Sequence, residues 1–217
     1  MAKRRPVANL LALAVLATVV QRPMHPYEMA SLLRARGKDA DMPIKWGSLY
    51  TVVRNLTKHG FLEVEDTTRE GGRPERTVYR ITEAGHAELV DWVRELVSVP
   101  ETEHTRFKAG LSVLATLPPD EATELLRRRL ASLERSTAEA RASMERYGST
   151  VPRLFLIEDE YQLAVLQAES DWIRGLIEEL ESGSFPQLAV WRTWHETGEP
   201  PAELAEPAEP AKHGGTD

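Results

Sequence analysis

The chain has 217 residues, of which 41% are hydrophobic and 28% charged, a composition typical of a globular protein with one large or two small domains. It contains no cysteine, which excludes thiol nucleophiles, disulfides and thiolate metal sites. Residues 1–86 hold 14 Lys and Arg against 9 Asp and Glu, a net +5, whereas residues 87–217 hold 13 against 25, a net −12. A basic part joined to an acidic remainder is typical of a module that binds a polyanion, linked to a second region.

The first predicted element is an apolar run from Val7 to Val20 behind the basic start "MAKRR". This pattern also resembles a secretory signal. The run of 14 residues is too short to cross a bilayer as a helix, and no small-x-small cleavage site follows it. We therefore predict a buried first helix that begins at Pro6, in a cytoplasmic protein that does not bind membranes.

The stretches "HPYEMASLLRARG" and "KWGSLYTVVRNLTKHG" predict two more helices. In the first, Pro26 suits the first helical position and Gly37 the end. The second predicted helix, residues 45–60, has its apolar side chains on one face and its polar side chains on the opposite face. Its apolar face holds Leu49, Val52, Val53 and Leu56, and its polar face holds Tyr50, Thr51, Arg54 and Lys58, with Ser48 and Asn55 on the flank. Hydroxyls, an amide and cations are the groups that contact DNA bases and phosphates, although an ordinary solvated helix shows the same pattern.

The runs "FLEVED" and "RTVYRIT" predict a β-hairpin whose tip contains Gly71, Gly72 and several arginines. Three helices followed by a basic hairpin is the order of a winged helix-turn-helix, in which the third helix enters the major groove of double-stranded DNA. We therefore predict a mainly α-helical fold with a β-hairpin wing. Tyr27 fits either a phosphate contact or the core. The predicted DNA-binding residues are Tyr27, Ser48, Tyr50, Thr51, Arg54, Lys58, Arg73 and Arg76, and Arg69 or Arg80 are alternatives on the wing.

From Thr82 onward the pattern is helical, and Thr82 itself can cap the first of these helices. Leucines and small residues recur at 4-3-4-3 spacing from Leu126 to Tyr147, and a second long helix carries an apolar stripe from Leu154 to Leu176. Two such helices predict an antiparallel hairpin, and we favour association with a second copy over a bundle within one chain. The predicted dimerisation residues are Leu126, Leu130, Leu133, Met144, Tyr161, Trp172 and Leu176. Residues 198–217, rich in Pro, Ala and Glu, predict a disordered tail.

The pieces "PMHPYEMASLL", "GSLYTVVRNLTKHGFL" and "GGRPERTVYRITEAG" resemble the PadR family of bacterial transcriptional regulators. The family motif Tyr-x-x-Thr-x-x-Gly is matched by Tyr79, Thr82 and Gly85. Pro26 replaces the usual glycine of the second helix, and Thr51 replaces a frequent proline of the third. The resemblance implies a homodimeric repressor that binds a palindromic operator and releases it when a small apolar or aromatic effector binds.

The remaining motifs predict neither an enzyme nor a cofactor. The histidines do not cluster in a metal-binding set, acidic runs have no neighbouring nucleophile, and the five tryptophans fit core or interface positions. The predicted organisation is a DNA-binding domain at residues 1–86, a helical dimerisation domain at 87–197 and the tail. The alternative is an adaptor that binds proteins through the winged fold, for which the cationic helix face and the arginine-rich wing have no use.

Overall fold

The computed structural model of the chain describes residues 5–42, 44–68, 76–101 and 104–201, with only the backbone described for Ala40, Thr68 and Arg76. The chain divides into two compact units, residues 1–102 and 103–217. Helices predominate in both units, and the β-structure of the described ranges is a single two-stranded sheet. The predicted mainly helical fold with a hairpin wing is therefore confirmed. No helix within those ranges combines the length and the apolar character that crossing a bilayer requires.

The first helix, α1 (Leu10–Val19), is buried on nearly every side. Leu11 and Val15 are fully covered, which confirms the buried helix predicted from the apolar run. The predicted start at Pro6 is wrong. Asn9 caps the helix, and its side-chain oxygen accepts a hydrogen bond of 2.8 Å from the Leu11 amide. An asparagine at this position satisfies one of the free amides of the first turn, which a proline cannot do.

Three helices follow α1 before the hairpin. The helix α2 (Pro26–Ala35) begins at the predicted proline, and His25 caps it. A single turn, α3 (Lys38–Asp41), begins directly after Gly37. A 3-10 turn (Trp46–Ser48) then leads into α4 (Leu49–Lys58), the predicted third helix of the winged fold.

The wing is attached to the helices at both of its ends. Gly60 ends α4 with a positive φ of 73°, a conformation that glycine adopts without strain. The strand β1 (Leu62–Thr68) pairs antiparallel with β2 (Arg76–Ile81). The backbone of Tyr79 in β2 also exchanges two hydrogen bonds of 3.0 Å with Met24, just before α2. The register pairs Leu62 with Ile81, Glu63 with Arg80, Val64 with Tyr79 and Asp66 with Val78, with an irregularity between Val64 and Asp66.

The helix α5 (Glu83–Ser98) begins after Thr82, as predicted. The Thr82 hydroxyl donates to the Gly60 carbonyl oxygen at 2.6 Å and accepts a hydrogen bond of 3.0 Å from the Gly85 amide. A Cβ at Gly85 would lie 2.0 Å from the Phe61 carbonyl oxygen, so no larger residue fits there. Threonine and glycine at these two positions therefore fasten the start of α5 to the end of α4.

The whole of α5 belongs to the first unit. Trp92, halfway along the helix, is 5% exposed and lies in the same core as α1. The predicted domain boundary at residue 86 therefore falls inside a helix, whereas the contacts of the chain divide it after residue 102. The boundary at residue 86 could not be corrected from the sequence, because the helical pattern that starts at Thr82 continues through it as far as Ser98.

Arg5 anchors the segment before α1 to α5. Its side chain is 3% exposed and donates to Glu88 at 2.6 Å, while also pairing with Glu95 and, at 3.4 Å, with Asp91. Its guanidinium lies 5.2 Å from the ring centre of Trp92. Burial opposes the charged form, but hydrogen bonds and attraction from Glu88 and Glu95 outweigh it, so the pKa of Arg5 is raised.

The second unit contains α6 (Arg106–Leu111), α7 (Pro119–Tyr147), α8 (Ile157–Ser182) and α9 (Leu188–Thr197). The helices α7 and α8 form the predicted antiparallel hairpin, because their polar contacts join progressively later residues of α7 to earlier residues of α8. These contacts are Arg127 with Glu181 at 2.5 Å, Arg174 with Glu134 at 3.1 Å and Arg141 with Gln167 at 2.8 Å.

The core of the second unit lies between α7, α8 and α9. Trp191 of α9 is buried, and its indole N–H donates to the Leu117 carbonyl oxygen at 2.9 Å, just before α7. Leu126 and Leu133 are 3% and 9% exposed and pack in this core. The α7 seam that the sequence assigned to a second copy is therefore covered by its own chain, which leaves these two leucines almost no surface for a partner. Leu130, Met144 and Leu176 are half-buried.

Another face of α8 carries large apolar side chains that remain more than half exposed, although the ring of Trp172 meets that of Phe107 edge-on at 6.2 Å. Tyr161 is 71% exposed and Trp172 51% exposed. Further exposed apolar side chains near the turn of the hairpin are Tyr147, Leu154, Phe155 and Ile157. Several large exposed apolar side chains on one hairpin favour a site of protein association.

Candidate nucleic-acid interface

The helix α4 is held in place by one fully buried face. Leu49, Val52, Val53 and Leu56 are between 1% and 4% exposed and belong to the core of the first unit. Burying four such side chains contributes several kcal/mol, at about 1.5–3 kcal/mol each. The facial separation predicted from the sequence is therefore confirmed, and it makes α4 a rigid support for its outer side chains.

The opposite face of α4 presents the predicted polar residues to solvent. Tyr50, Thr51, Arg54 and Lys58 are all exposed. Neither Arg54 nor Lys58 forms an ion pair with any residue in the part of the chain that the structure describes. These two cations, which have no ion-pair partner among the described residues and project from a helix with a buried back, are available to bases and phosphates.

The N-terminal end of α4 is built by the 3-10 turn. The Ser48 hydroxyl donates to the Lys45 carbonyl oxygen at 2.7 Å, so its hydrogen is used within the turn and the side chain does not cap α4. Arg34 of α2 stacks on the ring of Trp46, with its guanidinium 4.2 Å from the ring centre. This contact joins α2 to the entry of α4. Because Ser48 does not cap the helix, the first amides of α4 have no side-chain partner among the described residues.

Tyr27 lies beside this end of α4, at the start of α2. It is 67% exposed, so of the two roles that the sequence left open the core role is wrong. His25 connects the two helix starts, because its Nδ1 accepts a hydrogen bond of 3.1 Å from the Tyr27 amide and its ring meets Tyr50 edge-on at 6.4 Å.

His25 is a residue that sequence reasoning missed. It forms a capping box with Glu28, whose carboxylate accepts a hydrogen bond of 3.0 Å from the His25 amide. The sequence signal of this capping box is Glu28, three residues after His25. It is easily missed because His25 stands where serine or threonine is usual.

The described part of the wing offers fewer free cations than the sequence predicted. Arg80 of β2 pairs with Glu63 of β1 at 2.7 Å across the hairpin, which neutralises it. Arg69 and Arg73 lie outside the described residues, and for Arg76 only the backbone at the start of β2 is described. The role of the wing tip in binding therefore stays a prediction.

The exposed side chains of α4 are hydrogen-bond donors and cations, which suit the binding of nucleic acid. Across the described ranges, no three His, Asp or Glu side chains lie close enough together to hold a metal ion. The arrangement of α4 can form bidentate hydrogen bonds to a base through Arg54 and pair with a phosphate through Lys58.

Comparison with known proteins agrees with this geometry. Residues 15–91 match the family model of the transcriptional regulator PadR-like family, which spans α1 to α5. The negative transcriptional regulator PadR of Bacillus subtilis (strain 168) is 27% identical over 139 residues, which are 64% of this chain and 76% of that protein. The crystal structure of Bacillus subtilis PadR in complex with operator DNA has a TM-score of 0.65 and 21% identity, over 79% of this chain and 99% of the other. The same protein in complex with p-coumaric acid has a TM-score of 0.66 and 18% identity, over 80% and 99%. At these identities the structural likeness shows the fold.

Proposed function

We propose that this chain is a transcriptional regulator of the PadR-like family, which it resembles over residues 15–91, and that it represses transcription by binding double-stranded operator DNA as a homodimer. The observation that carries the proposal is the exposed face of α4, where Arg54 and Lys58 project from a helix whose other side is buried. A regulator of this kind acts in the cytoplasm, where it meets its DNA, and it has no need of a catalytic group.

In this proposal α4 occupies the major groove. Arg54, at the centre of the exposed face, pairs bidentately with a guanine, while Thr51 and Tyr50 contact neighbouring bases or backbone. Lys58 near the end of α4 binds phosphate. Tyr27 lies at the start of α2, where helix amides also favour an anion.

The exposed aromatic face of α8 supports the homodimer. Tyr161 and Trp172 are more than half exposed in a single chain, and a second copy is the partner that covers them symmetrically. Two copies of α4 related by a twofold axis require a palindromic operator with half-sites one DNA turn, roughly 34 Å, apart. We further propose that a small aromatic or apolar effector releases the DNA, by analogy with the relative that binds p-coumaric acid.

Selecting DNA fragments from random sequence with the purified chain tests this function. We expect enrichment of a palindrome with half-sites about ten base pairs apart. Recovery of no enriched sequence, together with binding that disappears above moderate salt, would favour the adaptor alternative. The effector is tested separately, by adding p-coumaric acid to the chain bound to the selected palindrome and measuring release.

A further inference from the structure

The exposed ring of Tyr50 on α4 contacts His25, the residue that caps α2. Tyr50 is the second residue of α4 and is 62% exposed. Its ring meets the imidazole ring of His25 edge-on, with the ring centres 6.4 Å apart and the planes inclined at 71°. Aromatic rings attract each other in this arrangement when their centres are roughly 4.5–7 Å apart. Among the described residues, the Tyr50 ring has no second aromatic contact and its hydroxyl has no hydrogen bond.

The imidazole of His25 is held in place from several sides. Met24, the residue before it, is 1% exposed and exchanges two backbone hydrogen bonds of 3.0 Å with Tyr79 of β2. Pro26, the residue after it, is buried and begins α2. Within the ring, Nδ1 accepts the hydrogen bond of 3.1 Å from the Tyr27 amide, which fixes the orientation of the imidazole. The ring therefore has a defined position relative to α2 and to the wing.

The two rings are unequal partners, because the imidazole is fixed and the tyrosine side chain can rotate. A tyrosine on the outer face of a helix has more than one staggered orientation. Contact with a fixed ring lowers the free energy of one of these orientations and so raises its population. Tyr50 lies in the first turn of α4, and the N-terminal residues of a recognition helix are those that reach base edges. The orientation of the Tyr50 side chain consequently decides where its hydroxyl meets DNA.

We propose that His25 is a positioning residue for DNA binding, and that it acts by holding the Tyr50 side chain in the orientation that contacts the operator. The inference rests on the proposed function and adds to it a residue that lies outside α4. Tyr27 provides a comparison, because it is exposed to a similar extent, 67%, but meets His25 through its backbone amide. Its side chain is therefore not expected to depend on the imidazole.

Two variants remove the imidazole and keep the cap of α2. His25→Asn and His25→Ser both supply a side-chain oxygen that can accept from the Tyr27 amide, since asparagine and serine are among the preferred residues at this position. Both variants should keep the Tm of the unchanged chain within about 2 °C, so that a loss of affinity does not come from unfolding. We expect the affinity of each for the selected operator, measured by fluorescence anisotropy, to fall about three- to tenfold.

The same substitutions are then measured in two further backgrounds. In Tyr50→Ala, removing the imidazole should cost no further affinity, because the side chain through which it acts is already gone. In Tyr27→Ala, the matched background, it should again cost about three- to tenfold. An equal loss in both backgrounds would overturn the proposal, since His25 would then contact DNA itself or support the fold of the first unit. Unchanged operator affinity of both His25 variants would overturn it as well.

A measurement on the free chain separates this inference from the proposed function. In NMR spectra of the chain labelled at its tyrosines, the ring signals of Tyr50, assigned by their absence in Tyr50→Phe, should move in His25→Asn. Those of Tyr147, an exposed tyrosine of the second unit, should not move. Unchanged Tyr50 signals would overturn the inference alone. A chain whose Tyr50 signals move but which prefers no DNA sequence would overturn the proposed function, and the role of His25 in DNA binding with it.

Discussion

The two units of this chain are of similar length but differ in how completely each encloses its own apolar side chains. In the described residues, the first unit buries sixteen hydrophobic side chains in one core, and the second buries eight. The second unit instead leaves several aromatic and aliphatic side chains on the hairpin exposed. A unit with a complete core can present a polar face without losing stability, whereas one with half the core gains stability from a partner.

This difference matches the division of labour that we propose. Exposure of Arg54 and Lys58 does not weaken the first unit, because the other face of α4 is fixed in the core. Exposure of Tyr161 and Trp172 on the second unit is unfavourable until another surface covers them. The first unit is therefore built for contact with a polar, charged partner and the second for contact with an apolar one.

The largest expected effect concerns the closed core of the first unit. Gly85→Ala would place a methyl group 2.0 Å from the Phe61 carbonyl oxygen and 2.9 Å from Ile81. We expect the first unit to lose at least about 3 kcal/mol of its free energy of unfolding, measured by urea denaturation. The matched control is Gly175→Ala in α8, where no atom lies within 4 Å of the added carbon. That variant should gain up to about 1 kcal/mol from helix propensity. Equal stability of the two variants would refute the close packing at Gly85.

The next effect concerns the open surface of the second unit. Replacing both Tyr161 and Trp172 by serine should raise the Kd of the dimer at least about 100-fold, since each buried aromatic contributes about 1.5–3 kcal/mol. Analytical ultracentrifugation measures this. The control is Val97→Ser in α5, because Val97 is 83% exposed but lies on the first unit. An unchanged dimer in the double variant would show that this face of α8 is not the interface.

A smaller effect tests the anchor before α1. Arg5→Met removes the cation that Glu88 and Glu95 share, and we expect a loss of about 1–2 kcal/mol, because both carboxylates keep some access to water. The raised pKa of Arg5 means that this stabilisation is fully present below the ordinary arginine pKa, including neutral pH. Arg5→Lys keeps the positive charge but not the planar guanidinium that donates to two carboxylates, so it should lose less of the free energy of unfolding. Denaturation midpoints identical to that of the unchanged chain would mean that the anchor does not stabilise the fold.

The smallest effect is on an exposed pair of the hairpin. Arg153 donates twice to Glu160, at 2.8 Å each, and these hydrogen bonds lower the pKa of the Glu160 carboxyl. The stabilisation by this pair is present at neutral pH and disappears as the pH falls through that lowered pKa. Titration of the Glu160 carboxyl by NMR should show the lowered pKa, and Arg153→Gln should return it to the ordinary range. The same pKa in both proteins would show that the pair does not form.

Prediction from the sequence succeeded for a helix such as α4, in which one face is buried in the core and the other is exposed. The face of α4 followed from the spacing of Leu49, Val53 and Leu56 alone, and Thr82 was identified as a cap from its place before the helical pattern. It failed where the answer depended on chemistry at a single position. The start of α1 is set by the Asn9 side chain, and the exposure of Tyr27 by its place at the first turn of α2.

The heptad seam of α7 shows a more general limit. A 4-3 spacing predicts that Leu126 and Leu133 face another helix, but it cannot say whether that helix belongs to the same chain. In the structure, the helices that cover these leucines belong to the same chain. The sequence did predict the apolar stripe on α8 that includes Tyr161, but it could not show that this stripe is exposed. The hydrogen bond from Arg141 to Gln167 had no sequence signal, because the two residues come together only when the hairpin folds.

The central claim is that α4 reads the base sequence, and the arginines of the wing are predicted to contact the phosphate backbone instead. One set of affinities tests this division most directly. These are the Kd values of Arg54→Ala and Arg73→Ala for the selected operator and for scrambled DNA, over a series of salt concentrations. We expect Arg54→Ala to lose about 1–3 kcal/mol on the operator and little on scrambled DNA. Arg73→Ala should weaken both alike and lower the slope of log affinity against log salt by about one. Equal losses on both DNAs for Arg54→Ala, with Arg73→Ala affecting only the operator, would contradict the account and exchange the two roles.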